Sequence, residues 1–340
     1  MQTQDSLIGA PALEEAIDRH PLTVTADTPV IEAIDLMSAM RGKACLLSDA
    51  SLVSDEVAKR ETRSSCVLVV QEKKLLGIFT ERDIVRLTAA GKSFVGIKIA
   101  DVMTQPVITM HETHCQDVFA ALFLFRRYRI RHLPIVGDGD RLVAIVSPES
   151  IRQVMQPANF LKLRRVSDVM TKEAICAPMH DSVMSVARCM AEYRVSCVVI
   201  TEADDEDSHC PVGIVTERDI VQFLSLKLNL AQIQAGDVMS TPLFLLSPED
   251  SLWVAHEEMQ RRHVRRLVVS WDWGRGLGIV TQTSLLRVFD PIEMYGVIET
   301  LQRRIEELEA GQKRYLSDAD PKSKQTELSS KLPVVRQLKP

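Results

Sequence analysis

Gly213-Ile214-Val215-Thr216-Glu217-Arg218-Asp219-Ile220 reads as a short apolar strand running straight into a helix, with Thr216 at the corner. Nearly the same words occur earlier as Gly77-Ile78-Phe79-Thr80-Glu81-Arg82-Asp83-Ile84. Two looser copies keep the frame, Ala144-Ile145-Val146-Ser147-Pro148-Glu149-Ser150-Ile151 and Gly278-Ile279-Val280-Thr281-Gln282-Thr283-Ser284-Leu285. The corners Thr80, Ser147, Thr216 and Thr281 lie 67, 69 and 65 residues apart. So regular a period means one structural unit used four times.

Working outward, each unit reads strand, helix, strand, strand, helix. The phrase Asp-Val-Met-Thr/Ser opens repeats two to four, at Asp101, Asp168 and Asp237. In repeat one a strand at Leu22 to Thr25 precedes Asp27-Thr28-Pro29, a helix start in which proline sacrifices no bonded N–H. Val30, Ile31, Ile34, Met37 and Met40 then share a helical face, and Gly42 is read as its end. The polar stretch 44–63 has no counterpart in the other repeats and reads as an insertion. No repeat can bury its apolar faces alone, so the units must pair. The expected organisation is a lead-in over 1–19, a first module over 20–156 (repeats 20–92 and 97–156) and a second over 165–290 (repeats 165–226 and 235–290). Beyond them, Met294, Ile298, Leu301, Ile305 and Leu308 form a heptad seam, read as a short coiled-coil helix over 291–310 that would reinforce a homodimer. Residues 311–340 are polar and read as a disordered tail.

Bulk properties exclude several classes. Aromatics are 5% of a chain that is 46% apolar, so the core must be aliphatic. A net charge of -5 leaves no footprint for nucleic acid. The apolar run Val118 to Phe125 is too short for a membrane span, which needs roughly 20 residues. Seven cysteines without a C-x-x-C pair read as reduced thiols of a cytoplasmic protein. His111-x-x-His114-Cys115 lacks an obvious fourth ligand and reads as a turn rather than a metal site. The acidic run Glu202 to Asp207 reads as a solvated hairpin loop, as do Glu81, Arg82, Glu217 and Arg218 as solvated first-turn helix residues. No Walker loop, nucleophile elbow or zincin motif is present, so no enzyme is expected.

The corner offers definite chemistry. The first N–H groups of a helix are unsatisfied and favour a phosphate; a corner threonine adds a donor, and an aspartate one turn in can accept from ribose hydroxyls. Taken once, Thr-x-x-Asp is more simply a capping box. The four copies differ in an ordered way, however. Repeats one and three keep Asp83 and Asp219, whereas two and four carry Ser150 and Ser284. Cations precede the second strand in the even repeats, as Arg129, Arg131 and His132 and as His263, Arg265 and Arg266. Ser64-Ser65 and Val195-Ser196 stand there in the odd ones. Odd repeats thus supply an acid for ribose and even repeats cations for phosphate, a complementarity that capping does not require.

The G-[IV]-[VF]-T-E-R-D-[IL] phrase, the D-V-M-[TS] openers, the second strand around Leu133-Pro134-Ile135-Val136 and the period near 67 resemble cystathionine-β-synthase (CBS) domains over about residues 20–290. The resemblance implies an α+β fold of four β-α-β-β-α repeats, paired through their sheets into two Bateman modules. It also implies adenine ligands in the clefts between repeats: AMP, ADP, ATP, S-adenosylmethionine or a cyclic dinucleotide. Asp83 and Asp219 would hold ribose, and Thr80 and Thr216 the phosphate. Arg131 with His132, and Arg265 with Arg266, would be the phosphate cations. Val24 and Ile175 are preferred over Val107 and Leu243 for lining adenine. Ser150 and Ser284, standing where the family's aspartate would be, set the second cleft of each module apart from the pattern. The function so implied is non-catalytic: a nucleotide sensor acting through a partner or a signalling output domain such as a histidine kinase or cyclase. The competing reading is a homodimeric scaffold with non-functional clefts.

Overall fold

The computed structural model describes residues 13–46, 65–114, 118–155, 158–204 and 208–289. The insertion from residue 47 onward, the heptad seam and the tail lie outside the described residues. The described residues up to Val288 form one compact unit.

Repeat one comprises β1 (Thr23–Val24), α2 (Val30–Leu46), β2 (Cys66–Gln71), β3 (Lys74–Thr80) and α3 (Glu81–Ala89), preceded by α1 (Leu13–Ala16). Its strands are apolar on both faces because both faces are buried. Val67, Val69 and Phe79 turn toward α2 and α3. Cys66, Leu68 and Ile78 turn toward the partner repeat's Val136 and Ile145. Repeat two has β4 (Met110–His111), α4 (Val118–Tyr128), β5 (Leu133–Gly137), β6 (Arg141–Val146) and α5 (Pro148–Met155). A linking helix α6 (Ala158–Leu163) leads to repeat three, with β7 (Cys176–Pro178), α7 (Val183–Tyr193), β8 (Cys197–Asp204), β9 (Ser208–Thr216) and α8 (Glu217–Ser225). Repeat four follows with α9 (Ala235–Val238), β10 (Leu245–Leu246), α10 (Leu252–Arg261), β11 (Arg266–Trp271), β12 (Gly276–Thr281) and α11 (Gln282–Leu285).

In every repeat the first strand pairs parallel to the second, and the second antiparallel to the third. In module one β3 meets β6 at Lys74 and Arg141, joining both repeats in the six-stranded order β1-β2-β3-β6-β5-β4. Module two keeps two three-stranded sheets, β7-β8-β9 and β10-β11-β12. Cys197 and Val199 of one pack with Val268 and Ile279 of the other.

The openers interlock the repeats. Thr104 bridges to Ile78, Thr171 to Ile279 and Ser240 to Ile214, so each opener is fastened to the third strand of the other repeat in its module. The methionine of the phrase lies on the glycine that begins the corner motif. A Cβ on Gly77 would stand 2.4 Å from Met103 Sδ, and one on Gly213 would stand 2.2 Å from Met239 Sδ. Asp18 bridges to Ile145 in the same manner, and α1 packs on α5. Residues 13–18 of the lead-in are thus docked on repeat two as the openers are docked on their partner repeats.

The modules pack through helices. α3 lies against α7 and α8, and α2 against α8, so repeat one sits on repeat three. Val85 enters the core of repeat three and Val221 that of repeat one. Repeat two sits on repeat four through α5 and α11.

Several local expectations change. α2 runs past Gly42 to Leu46. The β8–β9 hairpin is longer than its apolar pattern, and Glu202 to Asp204 belong to the strand, paired with Cys210 to Ser208. Trp271 folds over Gly276 and Gly278 of its own hairpin, where a Cβ would meet its ring at 2.0 and 3.3 Å.

Candidate functional site

The third strand of repeat one delivers Thr80 to the surface just as the chain turns into α3. The Thr80 N–H and hydroxyl both donate to Asp83 Oδ2, at 3.0 and 2.8 Å. Asp83 Oδ1 accepts from Arg86 Nη2 at 3.1 Å and faces Thr104 Oγ1 at 3.5 Å. The capping function weighed from the sequence is thus real. It does not exhaust the group, because a carboxylate offers about four acceptor positions.

A cleft of about 270 Å³ opens beside this corner. Repeat one contributes Ser65, Ile78, Thr80 and Asp83; repeat two contributes the linker Pro106–Ile108 and the segment Arg129–His132. Arg129 adopts a left-handed φ of 53°, which ends the first helix of repeat two and turns the chain back toward the cleft. Ser65 Oγ and His132 Nε2 are 2.7 Å apart, a direct bond between the odd and even repeats. Four sequence-predicted residues, Thr80, Asp83, Arg131 and His132, therefore line one cavity, as does Arg82.

The second corner repeats this geometry. Thr216 N–H and hydroxyl donate to Asp219 Oδ2 at 2.9 and 2.8 Å. Arg266 Nε donates to Ser196 Oγ at 2.9 Å, the counterpart of the His132–Ser65 bond. Arg265 passes its carbonyl to the Gln282 N–H. In the even repeats serine replaces the acid and is consumed locally. Ser150 Oγ donates to the Ser147 carbonyl at 3.0 Å, and Ser284 Oγ accepts the Thr281 N–H at 3.1 Å; both serines are buried.

Three expectations need correction. First, Val24 does not line the module-one cleft. Val24 is buried in the core of repeat one, and Ile175 packs on that of repeat three. Val107 lines the cleft instead, because each opener crosses to the other repeat of its module and carries its first-strand residues there. Second, His132 is not a cation. Desolvation, and then the charges of Arg131, Arg265 and Arg82, push its pKa down to about 3, so it is neutral at physiological pH.

Third, the first-turn glutamates are not solvated, although Arg82 stays 46% exposed. Glu81 and Glu217 are 4% and 1% exposed. Glu217 Oε2 accepts from Arg131 Nη2 at 2.5 Å, and its Oε1 from Arg82 Nε at 3.4 Å. Glu81 Oε1 lies 3.6 Å from Arg218 Nε. Each glutamate thus crosses to the other module. Burial opposes ionisation of Glu217, but Arg131, Arg82 and Arg266 outweigh it and hold the carboxyl below its usual range. Sequence reasoning missed this network, since nothing local in Thr-Glu-Arg-Asp distinguishes a buried glutamate from a solvated one.

A second buried polar cluster joins the even repeats. Arg152, 4% exposed, pairs with Glu149 and donates from Nη1 to His256 Nδ1 at 2.8 Å. Among the described residues, no group of three or more His, Cys, Asp or Glu is placed to hold a metal, and no helix is long and apolar enough to cross a membrane.

The fold and the paired corners define a class. The CBS-domain family model matches residues 13–90, 99–156, 166–226 and 235–290, and the chain belongs to that family. Protein MK0525 of Methanopyrus kandleri is 31% identical over 144 residues, 42% of this chain and 71% of its own length. Protein MJ1404 of Methanocaldococcus jannaschii is 23% identical over 305 residues, 84% of this chain and 64% of that one. Among solved structures, protein MJ1225 of Methanocaldococcus jannaschii aligns with 82% of this chain and 100% of its own at 18% identity, with a TM-score of 0.62. The fold is thus that of tandem CBS repeats.

Proposed function

We propose that this chain is a non-catalytic regulatory module that binds an adenosine ligand between the paired repeats, the ribose on the odd repeat and the phosphate on the even one. The observation that carries this reading is the single cavity on which Thr80, Asp83 and Arg131 converge from two repeats. Ile78, Val107, Ile108 and Ile130 give it apolar walls suited to a base. Asp83 keeps acceptor capacity for vicinal hydroxyls, and Arg131 supplies a permanent cation. The matching bonds at Thr216, Asp219 and Arg266 support a second site of the same kind in module two. Even-repeat clefts, with Ser150 and Ser284 engaged in their own caps, are not assigned a ligand.

A bound ligand shifts a conformational equilibrium only by its differential affinity for the two states. Here the states are two settings of module one against module two, read by a partner or output domain in signal transduction. We further propose a cytoplasmic homodimer reinforced by the heptad seam around Ile298 and Leu301. Thermal unfolding with AMP, ADP, ATP, S-adenosylmethionine and cyclic dinucleotides tests the reading. A rise in Tm with at least one adenosine ligand is expected; no shift at millimolar concentration with any of them leaves the scaffold reading in its place.

A further inference from the structure

Glu217 opens α8, in the module that does not contain the cleft. It reaches across the module boundary to Arg131 and Arg82, and both arginines line the module-one cavity. A permanently buried carboxylate therefore stands directly behind the cations that a ligand phosphate would meet. Buried ion pairs are poor sources of net stability, since desolvation offsets most of the attraction. The pair has a clearer consequence for the cleft: part of the positive charge facing it is already neutralised from behind.

We propose that Glu217 is the phosphate-discriminating residue of the module-one cleft, a built-in anion that the other module lends to Arg131 and Arg82. This deepens the adenosine-ligand reading above and rests on it. With Glu217 in place, the cleft holds the nucleoside part through Asp83 and gains less from each phosphate than two bare arginines would give. A phosphate that draws Arg131 toward itself does so at the expense of Glu217. Glu217 is the neighbour of Thr216 and lies two residues before Asp219, so the loosened contact is felt at the corner of module two. Glu81, 3.6 Å from Arg218 Nε, carries the reciprocal contact from the first corner to the second module.

The test compares binding isotherms of adenosine and AMP on the full chain, wild type and Glu217→Gln. The variant is expected to bind AMP roughly tenfold more tightly relative to adenosine, as removal of a nearby buried charge implies, with adenosine itself unchanged. An unchanged AMP-to-adenosine ratio overturns the proposal. Should Glu217→Gln fail to fold with its arginines unbalanced, Glu217→Asp keeps the charge and withdraws it by one methylene. It is expected to move the ratio in the same direction by less, and an unmoved or reversed ratio is again contrary. If neither ligand binds the wild-type chain, the adenosine reading itself falls, an outcome distinct from binding that ignores Glu217.

Discussion

At the scale of single residues, the corner carboxylate has two uses that the sequence presented as alternatives. Asp83 Oδ2 is spent on Thr80, while Oδ1 looks toward Arg86 and Thr104 at the cleft. Capping and ligand binding are therefore compatible at Asp83, and Asp219 Oδ2 makes the same two cap bonds to Thr216. His132 departs furthest from its sequence reading. Its ordinary pKa of 6.5 falls to about 3, so the unfolded chain binds a proton at pH values where the folded one does not. Stability is complete above about pH 6.5 and declines as the pH falls toward 3, at up to about 1.4 kcal/mol per pH unit. His256, lowered to about 4 by burial and then by Arg152, acts in the same direction. Glu217, with a depressed folded pKa, loses its contribution as the pH falls below the carboxylate range. Urea unfolding from pH 7 to pH 4.5 measures the contribution of the two histidines, and the Glu217 contribution follows at lower pH. His132→Gln is expected to flatten the pH dependence, and an unaltered slope means that His132 is not the neutral, enclosed group described. That Thr80, Asp83, Arg131 and His132 come to one cavity was legible, because residue type alternates between odd and even repeats, whereas Val107 and Arg82 beside them were not. Charge states were not legible either, because burial comes from contacts 86 and 135 residues away along the chain.

At the scale of elements, the repeat frame was legible almost throughout. Strand-helix corners, helix starts after Pro29 and hairpins around Lys73 and Gly139 all follow local chemistry. The Asp-Val-Met-Thr phrase was legible only as punctuation. Its role appears when Met103 is seen lying on Gly77 and Thr104 bonded to Ile78. This crossing explains why Val107, and not Val24, lines the module-one cleft. It also explains the glycine at the head of the corner motif: the fourth repeat likewise sets Gly278 against Thr171 O, 2.6 Å from where a Cβ would stand. Gly77→Ala is expected to cost about 1–3 kcal/mol by driving a methyl group into Met103. Gly91→Ala is a contrast, since no atom lies within 4 Å of its Cβ position and only its φ of 66° opposes the change. A denaturant midpoint unmoved by Gly77→Ala contradicts the interlock.

At the scale of the whole molecule, four repeats are arranged so that charge lies between modules where apolar packing alone would have sufficed. Repeat one meets repeat three through aliphatic residues such as Val85 and Val221, with Glu81 and Glu217 at the ends of the same helices. Repeat two meets repeat four through Arg152 and His256. The sequence predicted the pairing of repeats within modules, since odd and even members are complementary. It held no sign of which module faces which, because the inter-module contacts use helix faces of ordinary amphipathic pattern. An adenosine ligand is proposed to bind between repeats one and two with its ribose on Asp83. Calorimetric titration of AMP into the wild-type chain and into Asp83→Ala tests it most directly. Binding to the wild type, with affinity at the module-one cleft reduced at least about tenfold in the variant, is the expected result; the cap itself accounts for only about 1 kcal/mol of folding stability. An isotherm for Asp83→Ala superimposable on that of the wild type would contradict the claim and leave Asp83 as a helix cap alone.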